Sequence, residues 1–176
     1  GDETRLQFAP FNQVLQQLLD PGGELLRNRS DLNLLLLRLE DWAGSSTTDR
    51  EKIEESLDLN ADHFIDGLQR LVLAAPQARY LVLFCPESPE AKGNPSLSEA
   101  LTAAERRLIR RLDVPRLRAA QTVNSRELVA RYPAVAVDNP AGDELGGVPY
   151  TEDYFVLLAT EVIRRWDALT RTPLKV

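Results

Sequence analysis

Tyr80-Leu81-Val82-Leu83-Phe84 is an unbroken apolar run that stops at Cys85-Pro86. It is too short for a helix of its own and rich in residues that suit a pleated surface. It therefore reads as a strand with both faces covered, which demands layers of other structure above and below it. Asn33 to Leu39, apolar apart from one arginine, reads as a second strand buried on both faces, although leucine separates strand from helix poorly. Between the two runs, Thr48 and Glu51 have capping-box spacing, so a helix is expected to begin there, with Asn60 as a second start. Its stripe of Phe64, Leu68, Leu71 and Val72 ends before Pro76.

The remaining elements follow the same alternation. Residues 12–20 suggest a short helix capped by Asn12, with Val14, Leu15, Leu18 and Leu19 inward, ended by Pro21-Gly22-Gly23. After Phe84 a polar loop with Pro89, Gly93 and Pro95 leads to a helix capped by Ser96 or Ser98. Its stripe is Leu101, Ala104, Leu108 and Leu112. Ala119 to Val123 is a weaker strand, Ser125 to Tyr132 a short helix, and Ala134 to Val137 a last extended piece. A Gly-rich loop from Ala141 then precedes the clearest amphipathic helix. Thr151 is its N-cap, and Phe155, Leu158, Ala159, Val162, Trp166 and Leu169 form its stripe. Strand and helix in alternation imply a parallel sheet with helices on both faces. No internal repeat or linker interrupts it, so residues 1–176 read as a single α/β domain, a three-layer sandwich around a mainly parallel sheet.

Composition narrows the function classes. A net charge of −6 argues against general nucleic-acid affinity. The apolar runs, Leu34 to Leu37 among them, are far too short to span a bilayer, and no charged-then-apolar leader is present, so neither membrane insertion nor secretion is expected. A single cysteine excludes an internal disulfide and fits a reducing cytoplasm. The chain opens on Gly1 and has no methionine, which reads as a piece of a longer polypeptide.

Three stretches carry a resemblance. DELGGVPYTEDYF, from Asp143 to Phe155, resembles D-x-L-G-H-(I/V)-P-Y-T-x-x-(F/Y)-F of the FkbH-like proteins of polyketide and nonribosomal peptide assembly lines. FAPFNQVLQQLLDP, from Phe8 to Pro21, is similar to the family's F-A-P-Y-N-Q-V-F-Q-Q-L-L-D-P, and LNLLLLRLEDW, from Leu32 to Trp42, to its V-N-V-V-L-V-R-L-E-D-W. The resemblance is to the N-terminal domain of that family, which implies a flavodoxin-like, SGNH-hydrolase-like fold. It is not to the phosphatase-like (HAD-IIIC) domain, because no D-x-D-x-T motif is present and the chain reaches Val176 about where that domain's first strand would begin. The family has a further strand and helix before the FAPFNQ match, so the resemblance also implies that this chain lacks the first strand of the complete domain, or that something outside this piece replaces it.

In open α/β sheets ligands bind beyond the carboxyl ends of the strands. The strand positions select Glu40, Asp41, Trp42, Cys85, Glu87, Ser88 and the Asp143–Pro149 loop. An SGNH hydrolase resembles its relatives in a first-strand serine, an asparagine after a middle strand and a histidine before the last helix. Here the histidine position of the FkbH-like loop is Gly147, Glu40 stands at the asparagine position, and the serine is not in this chain. Nucleophilic catalysis needs a base within reach of the hydroxyl, so the hydrolytic set reads as missing. Cys85, Asp41 and Asp143 are the weak substitutes, with a buried inert thiol and solvated carboxylates as the plain alternatives. His63, the only histidine, falls at a helix start with no partner in sequence and reads as a solvated residue. No metal-ligand cluster and no phosphate loop is evident, and no cofactor is expected.

Arg106, Arg107, Arg110 and Arg111 crowd one helix opposite its apolar stripe. The pairs 106/110 and 107/111 each line up one turn apart. Such a ridge suits an acidic partner or the phosphate of a carrier-borne phosphopantetheine arm; the plain alternative is a solvated face. The reading is thus a catalytically degenerate accessory domain. As the resemblance implies, its partners are an acyl or peptidyl carrier protein or adjacent megasynthase domains. The competing reading is an acyl or glyceryl transferase, or a thioesterase, acting on carrier-bound groups.

Overall fold

The computed structural model describes residues 6–9, 13–20, 22–29, 31–44 and 49–170. In chain order these form α1 (Val14–Leu19), α2 (Glu24–Arg27), β1 (Leu32–Leu37), α3 (Glu40–Ala43), α4 (Arg50–Ala74), β2 (Arg79–Phe84), α5 (Pro89–Gly93) and α6 (Pro95–Leu112). A 3₁₀ turn (Pro115–Leu117), β3 (Ala120–Val123), α7 (Ser125–Arg131), α8 (Pro140–Gly146) and α9 (Glu152–Thr170) complete them. The strands make one small parallel sheet in the order β1-β2-β3, with Leu35 opposite Val82 and Val82 opposite Thr122. The architecture is mixed α/β. No helix among the described residues is long and apolar enough to cross a membrane.

β2 is central, and no side chain from Tyr80 to Phe84 is more than 1% exposed. Its pleat divides the interior in two. Tyr80, Val82 and Phe84 join a large core with Leu57, Phe64 and Leu68 of α4 and Leu101 and Leu108 of α6. Leu81 and Leu83 point the other way, into a smaller core with Val123, Leu128, Tyr154, Leu157 and Leu158. The helical layers on both faces follow from that single strand.

β1 corrects the expectation of two-sided burial. Leu35 and Leu37 are buried, but Leu34 and Leu36 are 40% and 39% exposed. It is an edge strand, and the smaller core takes in Leu32 on its outer face but not Leu34 or Leu36. Helix starts also differ from expectation. Asp49 caps α4 by accepting from the Glu51 amide, and α4 runs through Asn60 without a break. Asn60 instead directs its amide to the Ser56 carbonyl, 2.9 Å away. Asn94, with Pro95 at the first helical position, caps α6 in place of Ser96 or Ser98. The expected Asn12 cap, Pro21, Thr48 and the Leu169 side chain lie outside the described residues.

The Gly-rich stretch is not a loop. Asn139 and Pro140 start α8 there, and Gly147 ends it at φ +65°, a left-handed cap that glycine adopts without a Cβ penalty. Gly142 allows the tight approach behind it, since a Cβ at that position would meet the Val148 carbonyl at 2.7 Å. Ala134–Val137 is not a strand either. Among the described residues its end instead makes an isolated antiparallel bridge, Asp138 to Tyr150, extended by Thr151 N–H donating to the Val137 carbonyl.

Thr151 caps α9 as expected, accepting from the Tyr154 amide at 3.1 Å. The buried stripe, however, is turned by about one residue: Tyr154, Leu157, Leu158 and Glu161 face inward, while Phe155 is 41% exposed and Ala159 is exposed. A charged residue on the buried face is the reason that apolar periodicity misplaces it. Glu161 is 1% exposed and accepts from Arg164 Nη2 at 2.6 Å, Arg165 Nε at 2.7 Å and Arg131 Nη1 at 3.1 Å. Burial alone would push its carboxyl up, but the hydrogen bonds and charges of Arg164 and Arg165 outweigh it and hold the group below its ordinary value. Arg131 belongs to α7, so this one carboxylate fastens α7 to α9.

Replacing Glu161 with Gln is expected to lower unfolding stability by about 2 kcal/mol in urea titrations at neutral pH. A carboxyl whose folded pKa is depressed stabilises above its unfolded value and loses that contribution as pH falls through the folded one. The acid limb of the native protein, below the ordinary carboxylate value of 4.5, should therefore flatten in Glu161→Gln.

Candidate functional site

The carboxyl ends of β1 and β2 meet α8 around one guanidinium. Arg38, the residue after β1, reaches Glu40 Oε2 at 3.1 Å, Asp143 Oδ1 at 3.6 Å and Asp41 Oδ1 at 3.8 Å, and donates to the Gly147 carbonyl at 3.3 Å. Its side chain is only 21% exposed. Desolvation works against its charge, but the Glu40 hydrogen bond and the surrounding carboxylates outweigh it and keep the cation firmly protonated. Desolvation has the upper hand at Asp41, whose carboxyl sits above its ordinary value despite Arg38.

Other acidic side chains along this rim hold loops in place. The second oxygen of Glu40 accepts from the Ser88 amide, joining the loops after β1 and β2. Ser88 is buried and caps α5 through Ala91 N–H. Glu87 accepts from Ser98 Oγ at 2.6 Å and Thr102 Oγ1 at 3.3 Å. Glu105 accepts from both the amide and hydroxyl of Ser125, at 3.0 and 2.9 Å, which fixes the loop after β3; burial still raises its carboxyl.

Cys85 is half-buried beside this rim. Burial pushes its thiol up to about 12, with the neighbouring Tyr150 phenol pulling the other way. Tyr150 itself donates to the Pro86 carbonyl at 2.8 Å and packs its ring, tilted by 42°, 5.1 Å from that of Tyr154, whose buried hydroxyl has no partner among the described residues. A thiol in this state is almost wholly protonated at neutral pH, and a protonated thiol is a poor nucleophile.

Of the residues selected from sequence, Glu40, Asp41, Asp143 and Gly147 therefore come together on Arg38, with Cys85 and Ser88 close by. Trp42 does not belong with them. It is a core residue packed on Phe64 at 5.8 Å, and its carbonyl accepts from Ser56. His63 is exposed in the interior of α4 rather than at a helix start. Sequence reasoning passed over Arg38 as the lone charge in an apolar run, although an arginine at a strand's carboxyl end is the signal that could have found it. Glu105 gave no such signal.

The basic ridge is divided. Arg107 pairs with Asp58 at 2.8 Å and Arg111 with Asp62 at 2.6 Å, a two-rung ladder from α6 to α4. Arg106 and Arg110 are exposed and make no ion pair among the described residues. Arg106 lines a shallow depression of about 240 Å³ with Ser98, Thr102 and Arg126.

Compared with protein-family models, with curated proteins and with solved structures, the chain matches none.

Arg38→Gln is expected to cost about 3 kcal/mol, because Glu40, Asp41 and Asp143 would be left facing one another without a counter-charge; chemical denaturation checks this. The thiol should resist alkylation in the native state and react at once in denaturant. Its folded pKa lies above the ordinary 9.0, so its contribution is whole below that value and lost as pH rises toward 12. Cys85→Ala should make stability fall less steeply from pH 9 upward.

Proposed function

We propose that this chain is a catalytically degenerate, SGNH-like accessory domain of a polyketide or nonribosomal peptide assembly line. It docks on an acyl or peptidyl carrier protein or an adjacent domain and does not turn over a substrate. The observation that carries the reading is the state of the rim at the sheet's carboxyl end. A hydrolase needs an unengaged base beside a nucleophile. Here Arg38 binds the three carboxylates that could act as one, the Gly147 carbonyl accepts from that same arginine, and the thiol beside the rim is held protonated. Where the resemblance expects an imidazole, the chain offers a backbone oxygen already in use.

The docking half of the reading rests on charge. A ridge arginine paired to its own protein contributes little to a partner, whereas an exposed unpaired one steers and binds an acidic surface. Arg106 and Arg110, one turn apart, are of the second kind, and Arg126 lines the depression with Arg106. An acidic carrier helix or the phosphate of its prosthetic arm supplies the opposite charge. The transferase or thioesterase reading would instead work through a Cys85 thiolate, which its burial opposes.

Arg106→Glu with Arg110→Glu is expected to weaken binding of an acidic carrier protein by about tenfold or more in calorimetry, with a steep salt dependence in the native domain. Unchanged affinity removes the docking role. Chromogenic esters and acyl thioesters should not be turned over; turnover abolished by Cys85→Ala would establish the enzyme instead. Gly147→His has open space for its Cβ and should fold with a loss of about 1 kcal/mol for the left-handed backbone, without gaining esterase activity.

A further inference from the structure

β1 leaves one side of the sheet unfinished. In a parallel pair, alternate residues of a strand turn both backbone groups to the partner and the others turn theirs away. The Asp31 carbonyl accepts from Arg79 N–H and the Leu37 carbonyl from Cys85 N–H, so the odd-numbered residues of β1 face β2. Leu32, Leu34 and Leu36 therefore direct their N–H and C=O groups to the free edge. Asn28 Nδ2 closes the Leu32 carbonyl at 3.0 Å, but no described side chain does the same for Leu34 or Leu36. The same two leucines are the β1 side chains left 40% and 39% exposed. Unpaired backbone and exposed apolar side chains thus coincide on Leu34 and Leu36, the usual character of a strand edge that accepts another strand.

The free edge of β3 differs. Its residues Ala120, Gln121 and Thr122 carry no exposed large apolar side chain, and the concavity of about 650 Å³ beside it includes Arg118, Arg165 and Asp113. Nothing apolar is left uncovered on that strand.

The chain also carries a segment of matching chemistry. Leu6-Gln7-Phe8-Ala9 alternates apolar with polar, and Leu6 and Phe8 are 77% and 85% exposed. It is tethered close to β1, since α1 begins at Val14 and packs against that strand, yet it does not pair with β1 of its own chain. We infer that the Leu6–Ala9 arm of one copy adds as a strand to the Leu34–Leu36 edge of a second copy. The exchange is reciprocal and closes a twofold dimer. Each arm satisfies the outward backbone groups of its partner, and Leu6 and Phe8 leave water against the exposed leucines. The inference is independent of the carrier-docking reading, which concerns α6.

The test uses the full chain. Light scattering on size exclusion should give twice 19.7 kDa for the native protein and 19.7 kDa for Leu34→Lys/Leu36→Lys and for Leu6→Glu/Phe8→Glu. All these positions are exposed, so circular dichroism should stay native. A mixture of Phe8→Cys and Leu36→Cys chains, each in a Cys85→Ala background and carrying a different tag, should form a disulfide between the two under mild oxidation. A native protein that is monomeric at every concentration overturns the inference, as does a dimer that persists in both charged variants. A Phe8→Cys/Leu36→Cys chain that closes only within itself overturns it too, by seating the arm on its own strand.

Discussion

The fold depends on keeping β2 out of water on both faces. A sheet strand with every side chain buried cannot be covered by one layer, since the pleat sends alternate residues to opposite sides. Tyr80, Val82 and Phe84 require α4 and α6; Leu81 and Leu83 require α7 and α9. The rest of the chain is arranged to meet those two needs. The larger core is met by two long helices that pack on each other as well as on the sheet. The smaller is met by α7 and α9, which share apolar contacts and are also tied by Arg131 of α7 to the Glu161 carboxylate of α9. One side of the domain is therefore held largely by apolar packing, and the other needs an ionic fastening in addition.

Charges in this protein serve mostly to hold neighbouring segments together. Glu40, Glu87 and Glu105 each follow or face the end of a strand, and each accepts a hydrogen bond from the loop or helix beside it. Arg38 gathers the remaining acids of the rim. Where a hydrolase would keep a carboxylate or imidazole available to move a proton, these groups are engaged in shape. Electrostatic engagement of this sort leaves a rim whose acidic groups position loops. It is the observation behind the proposal that the domain holds or recruits.

What remains uncommitted is on the outside. Arg106 and Arg110 project from α6 beside two neighbours that are already paired to α4. Leu34 and Leu36 project from an edge strand whose next residues in, Leu35 and Leu37, are in the core. One is a charged face and the other an apolar one, on different elements, and each is left over after folding has used its neighbours.

Much of the chain could be read locally. The apolar run of β2, the α6 stripe, the stop before Pro76 and the Thr151 cap of α9 each depend on residues a few positions apart, so their signals survive without any knowledge of packing. The tertiary structure alone decided the rest. It placed Glu161 inside because Arg131 comes to it from another helix, left Leu34 and Leu36 of β1 bare because the smaller core takes in only Leu32 on that face, and separated Arg107 and Arg111 from Arg106 and Arg110 by bringing α4 alongside. It also brought Gly147 to Arg38, 109 residues away. Periodicity states which side chains can be buried; which of them are, and which charges are spent, depends on partners that only folding brings within reach.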